Sequence, residues 1–124
     1  MRGQSAIVAA FVAALQPVEA SAACSLADPS LDGRYYLQGV MEVGSELLLK
    51  SDGRFEYMLA YGALDELASG CWTRNGGVVT LHANKFEVSM EDPRKFTRLQ
   101  LTVASGGKLI RRFDSEHVGA YTRK

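Results

Sequence analysis

Apolar and polar residues alternate with a period of two over much of this chain, the spacing that places successive side chains on opposite faces of a strand. The clearest case is Arg54 to Tyr61, where Phe55, Tyr57, Leu59 and Tyr61 interleave with Arg54, Glu56, Met58 and Ala60. Leu99, Leu101 and Val103 repeat the pattern, as do Phe86, Val88 and Met90. Read this way, the chain predicts strands at Arg34 to Val40, Ser45 to Lys50, Arg54 to Tyr61, Gly70 to Arg74, Val78 to His82, Lys85 to Met90, Thr97 to Ala104 and Lys108 to Phe113, with a further one at Val118 to Thr122. Ser51-Asp52-Gly53, Asn75-Gly76-Gly77 and Ser105-Gly106-Gly107 fall between these runs, where glycine supplies the positive φ of hairpin turns. Gly62 to Ser69 breaks the pattern with helix-forming residues and predicts one helical turn over a barrel mouth. Short antiparallel strands with one apolar face each remove their exposed edges by closing, and the short connections favour an all-β meander barrel over a Greek-key sandwich.

The N-terminus follows another rule. Arg2 precedes an uncharged apolar run from Ala6 to Leu15, Pro17 ends it, and Ala20-Ser21-Ala22 has the small-x-small form that a signal peptidase reads. The expected organisation is a signal peptide over 1–23, an irregular lead-in over 24–32 and a β-barrel domain over 33–124. Export to the periplasm or beyond would place Cys24 and Cys71 where disulfides persist. A bridge between them would close a loop of roughly 47 residues, for about 4 kcal/mol in the chain-entropy model. The competing reading makes Cys24 a lipid-modified first residue and the protein a membrane-anchored lipoprotein. Ser21 stands where the lipoprotein site usually has an aliphatic residue.

Fourteen Lys and Arg balance fourteen Asp and Glu in 124 residues, so no global field draws the chain to nucleic acid or anionic lipid. Gly33-Arg34-Tyr35-Tyr36-Leu37, Glu46 to Phe55, Gly70-Cys71-Trp72 and Val78 to Leu81 together resemble the order of motifs in small lipocalin-like bacterial envelope domains. Among these is the N-terminal domain of the copper-resistance outer-membrane lipoprotein family. The resemblance covers about fifty residues and implies a small barrel. That family carries a CxxC pair near its first hairpin. Val40 to Glu46 has no cysteine, so the resemblance implies no copper handling here.

Candidate chemistry is sparse. His82 and His117 have no HxH, HExxH or Cys/His spacing beside them, and no metal or other cofactor is expected. Asp65-Glu66 and Glu91-Asp92 read as solvated loops, and Arg111-Arg112 as a basic pair whose members diverge in a strand. With no nucleophile and base together, an enzyme is not expected. The functional content lies in the aromatic set Tyr35, Phe55, Tyr57, Tyr61, Trp72 and Phe86, which either fills the interior or lines a cavity for one apolar ligand. The expectation is an exported envelope binding module whose partner is an envelope protein or a small apolar ligand. The alternative is a periplasmic inhibitor of a protease or lysozyme, acting through Ala23 to Asp32 or Gly62 to Ser69.

Overall fold

A computed structural model describes residues 23–124; the export segment read over 1–23 lies outside them but for Ala23. Eight strands follow one another: β1 (Gly33–Gln38), β2 (Gly44–Leu49), β3 (Arg54–Tyr61), β4 (Leu64–Asn75), β5 (Val78–Val88), β6 (Arg98–Val103), β7 (Leu109–Arg112) and β8 (Val118–Arg123). Each pairs antiparallel with its sequence neighbour, and β8 returns to β1 with Thr122 opposite Tyr36, so the sheet is a closed meander barrel.

Two elements differ from the sequence reading. Gly62 to Ser69 holds no helical turn: Gly62 and Ala63 make a tight reversal with Gly62 at φ 58°, and β4 begins at Leu64. Leucine and alanine favour helix only weakly, and here the β3 ladder overrides them, with Leu59 opposite Glu66 and Tyr57 opposite Ala68. The separate strands expected at Val78 to His82 and Lys85 to Met90 are one strand, β5. The irregularity sits on its partner instead, where the β4 register shifts between Ser69 and Gly70. A Cβ at Gly70 would run into the His82 carbonyl, so glycine lets the two backbones close up at the bulge.

The barrel has a closed end and an open one. At the closed end lie the turns over residues 50–53, 76–77 and 104–108, and the lead-in packs across them. The Cys24–Cys71 disulfide anchors it, which leaves the Cys24 sulfur unable to carry a thioether-linked lipid. The Ala27 amide donates to Ser51 O, and Arg74 pairs with Asp28 at 2.7 Å. A 3-10 turn, Pro29–Leu31, then inserts Leu31 beneath Tyr35, whose hydroxyl donates to Leu31 O at 2.6 Å. Gly53 sits at φ 90°, and a Cβ there would collide with Ser25 O, so this glycine gives the lead-in its seat. Trp72, fully buried, donates from Nε1 to Lys50 O at 2.9 Å. Leu47, Leu49, Phe55, Leu81 and Leu109 fill the space around it. This half of the interior is packed.

Candidate ligand cavity

At mid-height the interior changes character. Inward positions on five strands supply Ser45 (β2), Tyr57 (β3), Glu66 (β4), Arg111 (β7) and Tyr121 (β8), all buried. The Arg111 guanidinium donates through Nη1 to the Tyr57 hydroxyl at 3.0 Å and the Tyr121 hydroxyl at 3.2 Å. Tyr57 in turn donates to Glu66 Oε1 at 2.5 Å, and Ser45 Oγ lies 2.7 Å from the Tyr121 hydroxyl while donating to Met58 O. Burial raises the Tyr57 phenol well above its ordinary value, so it remains a proton donor. Three rings surround the guanidinium, with Phe113 nearest, 4.1 Å from Cζ to ring centroid, and Tyr57 and Phe96 farther off.

Above this floor lies a cavity of about 300 Å³. Val40, Val43, Leu59 and Phe113 form apolar walls, Met41 and Tyr61 stand at the rim, and Glu66, Asp92, Arg94, Arg111, Asp114 and His117 supply polar edges. The long β5–β6 loop covers part of the mouth. Ser89 Oγ fixes its start by accepting from the Asp65 amide and donating to Ala63 O. Phe96, 8% exposed, drops inward to meet Phe86 and Tyr57 edge-on, at 4.8 and 5.2 Å between ring centroids.

Burial pushes the Glu66 carboxyl up to about 7, aided by a hydrogen bond with Asp92 and opposed by the one from Tyr57. The same Glu66 contact holds Asp92 below the usual carboxylate range. Asp92 Oδ2 is buried and has no partner when both groups are ionised. A proton on Glu66, whose carboxyl is pushed up to about 7, supplies the missing donor, so below neutral pH the pair carries one proton and one negative charge.

The aromatic set named from the sequence divides between the two halves. Tyr35, Phe55 and Trp72 are closed-end core, Tyr57 is a floor residue, and Phe86 is half-buried against Phe96. Tyr61 continues the β3 alternation at the strand's last position, paired with Leu64; at 51% exposed it is a rim residue and not core. The readings of Asp65-Glu66 and Glu91-Asp92 as solvated loops are corrected for Glu66, buried in β4, and for Asp92, whose carboxyl reaches the cavity. Arg111 and Arg112 diverge, one buried and one exposed. The signal for Arg111 and Glu66 was a charge at an inward position: Leu109 precedes Arg111 by two residues, and Ala68 follows Glu66 by two. His82 is exposed on β5, and His117 closes an exposed turn through Nδ1, 2.8 Å from Asp114 Oδ1. Among the described residues no cluster of three or more His, Cys, Asp or Glu is placed to hold a metal ion.

Fold and site together define a closed eight-stranded antiparallel barrel, plugged at one end and holding a polar-floored cavity at the other. No protein-family model matches the chain, and no curated protein or solved structure matches it.

Proposed function

We propose that this protein is an exported, non-enzymatic binding module of the bacterial cell envelope, which takes one small and largely apolar ligand into the open end of its barrel. The observation that carries the reading is the cavity of about 300 Å³, walled by Val40, Val43, Leu59 and Phe113 above a fixed polar floor. That volume lies at the small end of the range for ligand sites, and a few oriented polar groups beneath apolar walls are the usual composition of such sites. Periplasmic localisation is supported by the N-terminal apolar run and by the disulfide. Placement among lipocalin-like envelope domains is supported by the meander topology and the hairpin motifs.

The inhibitor alternative asks for an extended terminus or a protruding loop. Ala23 to Asp32 is engaged across the closed end, and most of Gly62 to Ser69 is barrel wall. A neutral apolar fluorophore such as N-phenyl-naphthylamine tests the proposal. The folded protein should enhance its emission saturably with one equivalent bound, and Leu59→Trp, which fills the cavity, should abolish the effect. Absence of binding by the folded wild type, or equal binding by the filled variant, refutes it.

A further inference from the structure

Arg111 is the most anomalous residue in the barrel. The residue is 5% exposed, yet among the described residues no carboxylate lies within ion-pair distance of it. A guanidinium carries five N–H donors. The two hydrogen bonds it makes both leave from Nη1, so among the described residues the Nε and Nη2 edge has no protein acceptor while the residue lines the cavity. Phe113, its ring centroid 4.1 Å from Cζ, adds a cation–π contact but no acceptor. The Glu66 and Asp92 carboxyls act on the guanidinium only from beyond ion-pair distance, so an anion placed on that edge would be its first direct counter-ion. A carboxylate matches the planar fork in shape as well as in charge.

We propose that the ligand is a small monocarboxylic acid, seated with its carboxylate on Arg111 and its hydrocarbon part against Val40, Val43, Leu59 and Phe113. The proposal rests on the reading of the cavity as a ligand site and specifies the chemistry that site selects. The other charged and titratable groups around the guanidinium are Glu66, Asp92, Asp114, Arg94 and His117, with the Tyr57 and Tyr121 hydroxyls below it. Below pH 7 Glu66 and Asp92 together present one negative charge, and Glu66 is linked to Arg111 by hydrogen bonds through the Tyr57 hydroxyl as well as by its field. One further negative charge is tolerated beside that pair. A dianion such as a phosphate monoester would place two charges against one buried guanidinium, since Arg94 is exposed and paired with Asp114. An ammonium seated on that edge would meet the like charge of the guanidinium and offer it no acceptor.

Calorimetric titration of the disulfide-bonded protein at pH 6 with octanoate, octanol and octylamine tests the assignment. Octanoate should bind about tenfold or more tightly than octanol, the worth of a charge-assisted hydrogen-bond pair, and octylamine should bind most weakly. Arg111→Met should lower octanoate affinity to the octanol level and leave octanol unchanged. Arg111→Lys, which keeps the charge and loses the fork, should fall between. The three-probe comparison on wild type stands even if neither variant folds. Equal binding of octanol and octanoate, or preference for octylamine, overturns the acid assignment while the cavity reading survives. Binding of none of the three overturns both.

Discussion

Glu66→Gln offers the sharpest test of the floor. The carboxyl sits at about 7 in the folded protein, against 4.5 when free in the chain. A group whose folded value is raised holds its proton in the folded state after the unfolded chain has released it. Its stabilising contribution is therefore complete below about pH 4.5 and is lost as pH climbs through 7. At about 1.4 kcal/mol per tenfold, the interval corresponds to about 3 kcal/mol, of which some 2 to 3 kcal/mol falls between pH 5 and pH 8. Asp92, held low by the same contact, acts in the opposite sense, adding stability that disappears only under more acid conditions. Glutamine preserves both hydrogen bonds, because its oxygen accepts from Tyr57 and its amide donates to Asp92 without a titrating proton. Urea melts at pH 5, 6, 7 and 8 should show wild type losing about 2 kcal/mol or more relative to Glu66→Gln across that range. Because the difference between the two proteins is read, titration elsewhere in the molecule cancels. Parallel pH profiles would show that Glu66 is ionised throughout and that the shared proton does not exist.

Replacing Cys24 and Cys71 together by Ser should cost about 4 kcal/mol, read as a drop in denaturation midpoint, since the bridge closes a loop with a sequence separation of 47 and anchors the plug. An unchanged midpoint would show that the lead-in holds without it. Tyr57→Ala should cost about 3 to 5 kcal/mol, because it opens a void beneath Phe96 and leaves Arg111 and Glu66 short of a partner; Tyr61→Ala, at the exposed rim, should stay within about 0.5 kcal/mol. Equal costs for the two would mean that the cavity extends to the floor or that the rim is packed. Mass spectrometry of protein recovered from the periplasm should show cleavage before Ala23 or Cys24; an intact Met1 would rule out the export reading.

Period-two alternation was legible where one face is apolar throughout. The limits of β3 are the expected ones, and the expected Gly-marked turns fall at the closed end. Alternation failed at β4, where Leu64, Glu66 and Ala68 share the inner face: a buried carboxylate interrupts the apolar stripe, and leucine with alanine reads as helix. Phe96 was invisible for a related reason. It lies in a loop with no period of its own and is buried by the rings it meets, Phe86 and Tyr57. Asp92 depends on the same loop, so its contact with Glu66, 26 residues away in number, is a product of closure that no local pattern encodes. Composition pointed to the aromatic residues, whereas the site's chemistry rests on inward charges that the pattern treats as errors.

Those charges are hard to explain as stabilising devices. A chain of this length has little core to spare, and it leaves about 300 Å³ unfilled at one end while packing Trp72, Tyr35 and Leu31 at the other. Beneath that space it buries Arg111 and Glu66, and the burial of Glu66 outweighs the hydrogen bond it accepts from Tyr57. Replacing such a network by well-fitted apolar side chains is commonly neutral or stabilising. An apolar floor of Phe, Met and Leu would thus give a barrel at least as stable, and one with no preference among apolar guests. On the proposed function the polar floor serves selection among ligands, while the plug with its disulfide supplies stability at the opposite end. On this reasoning Arg111→Met should keep or raise the thermal midpoint while losing discrimination between octanoate and octanol. A variant that lost both together would return Arg111 to the role of a structural residue.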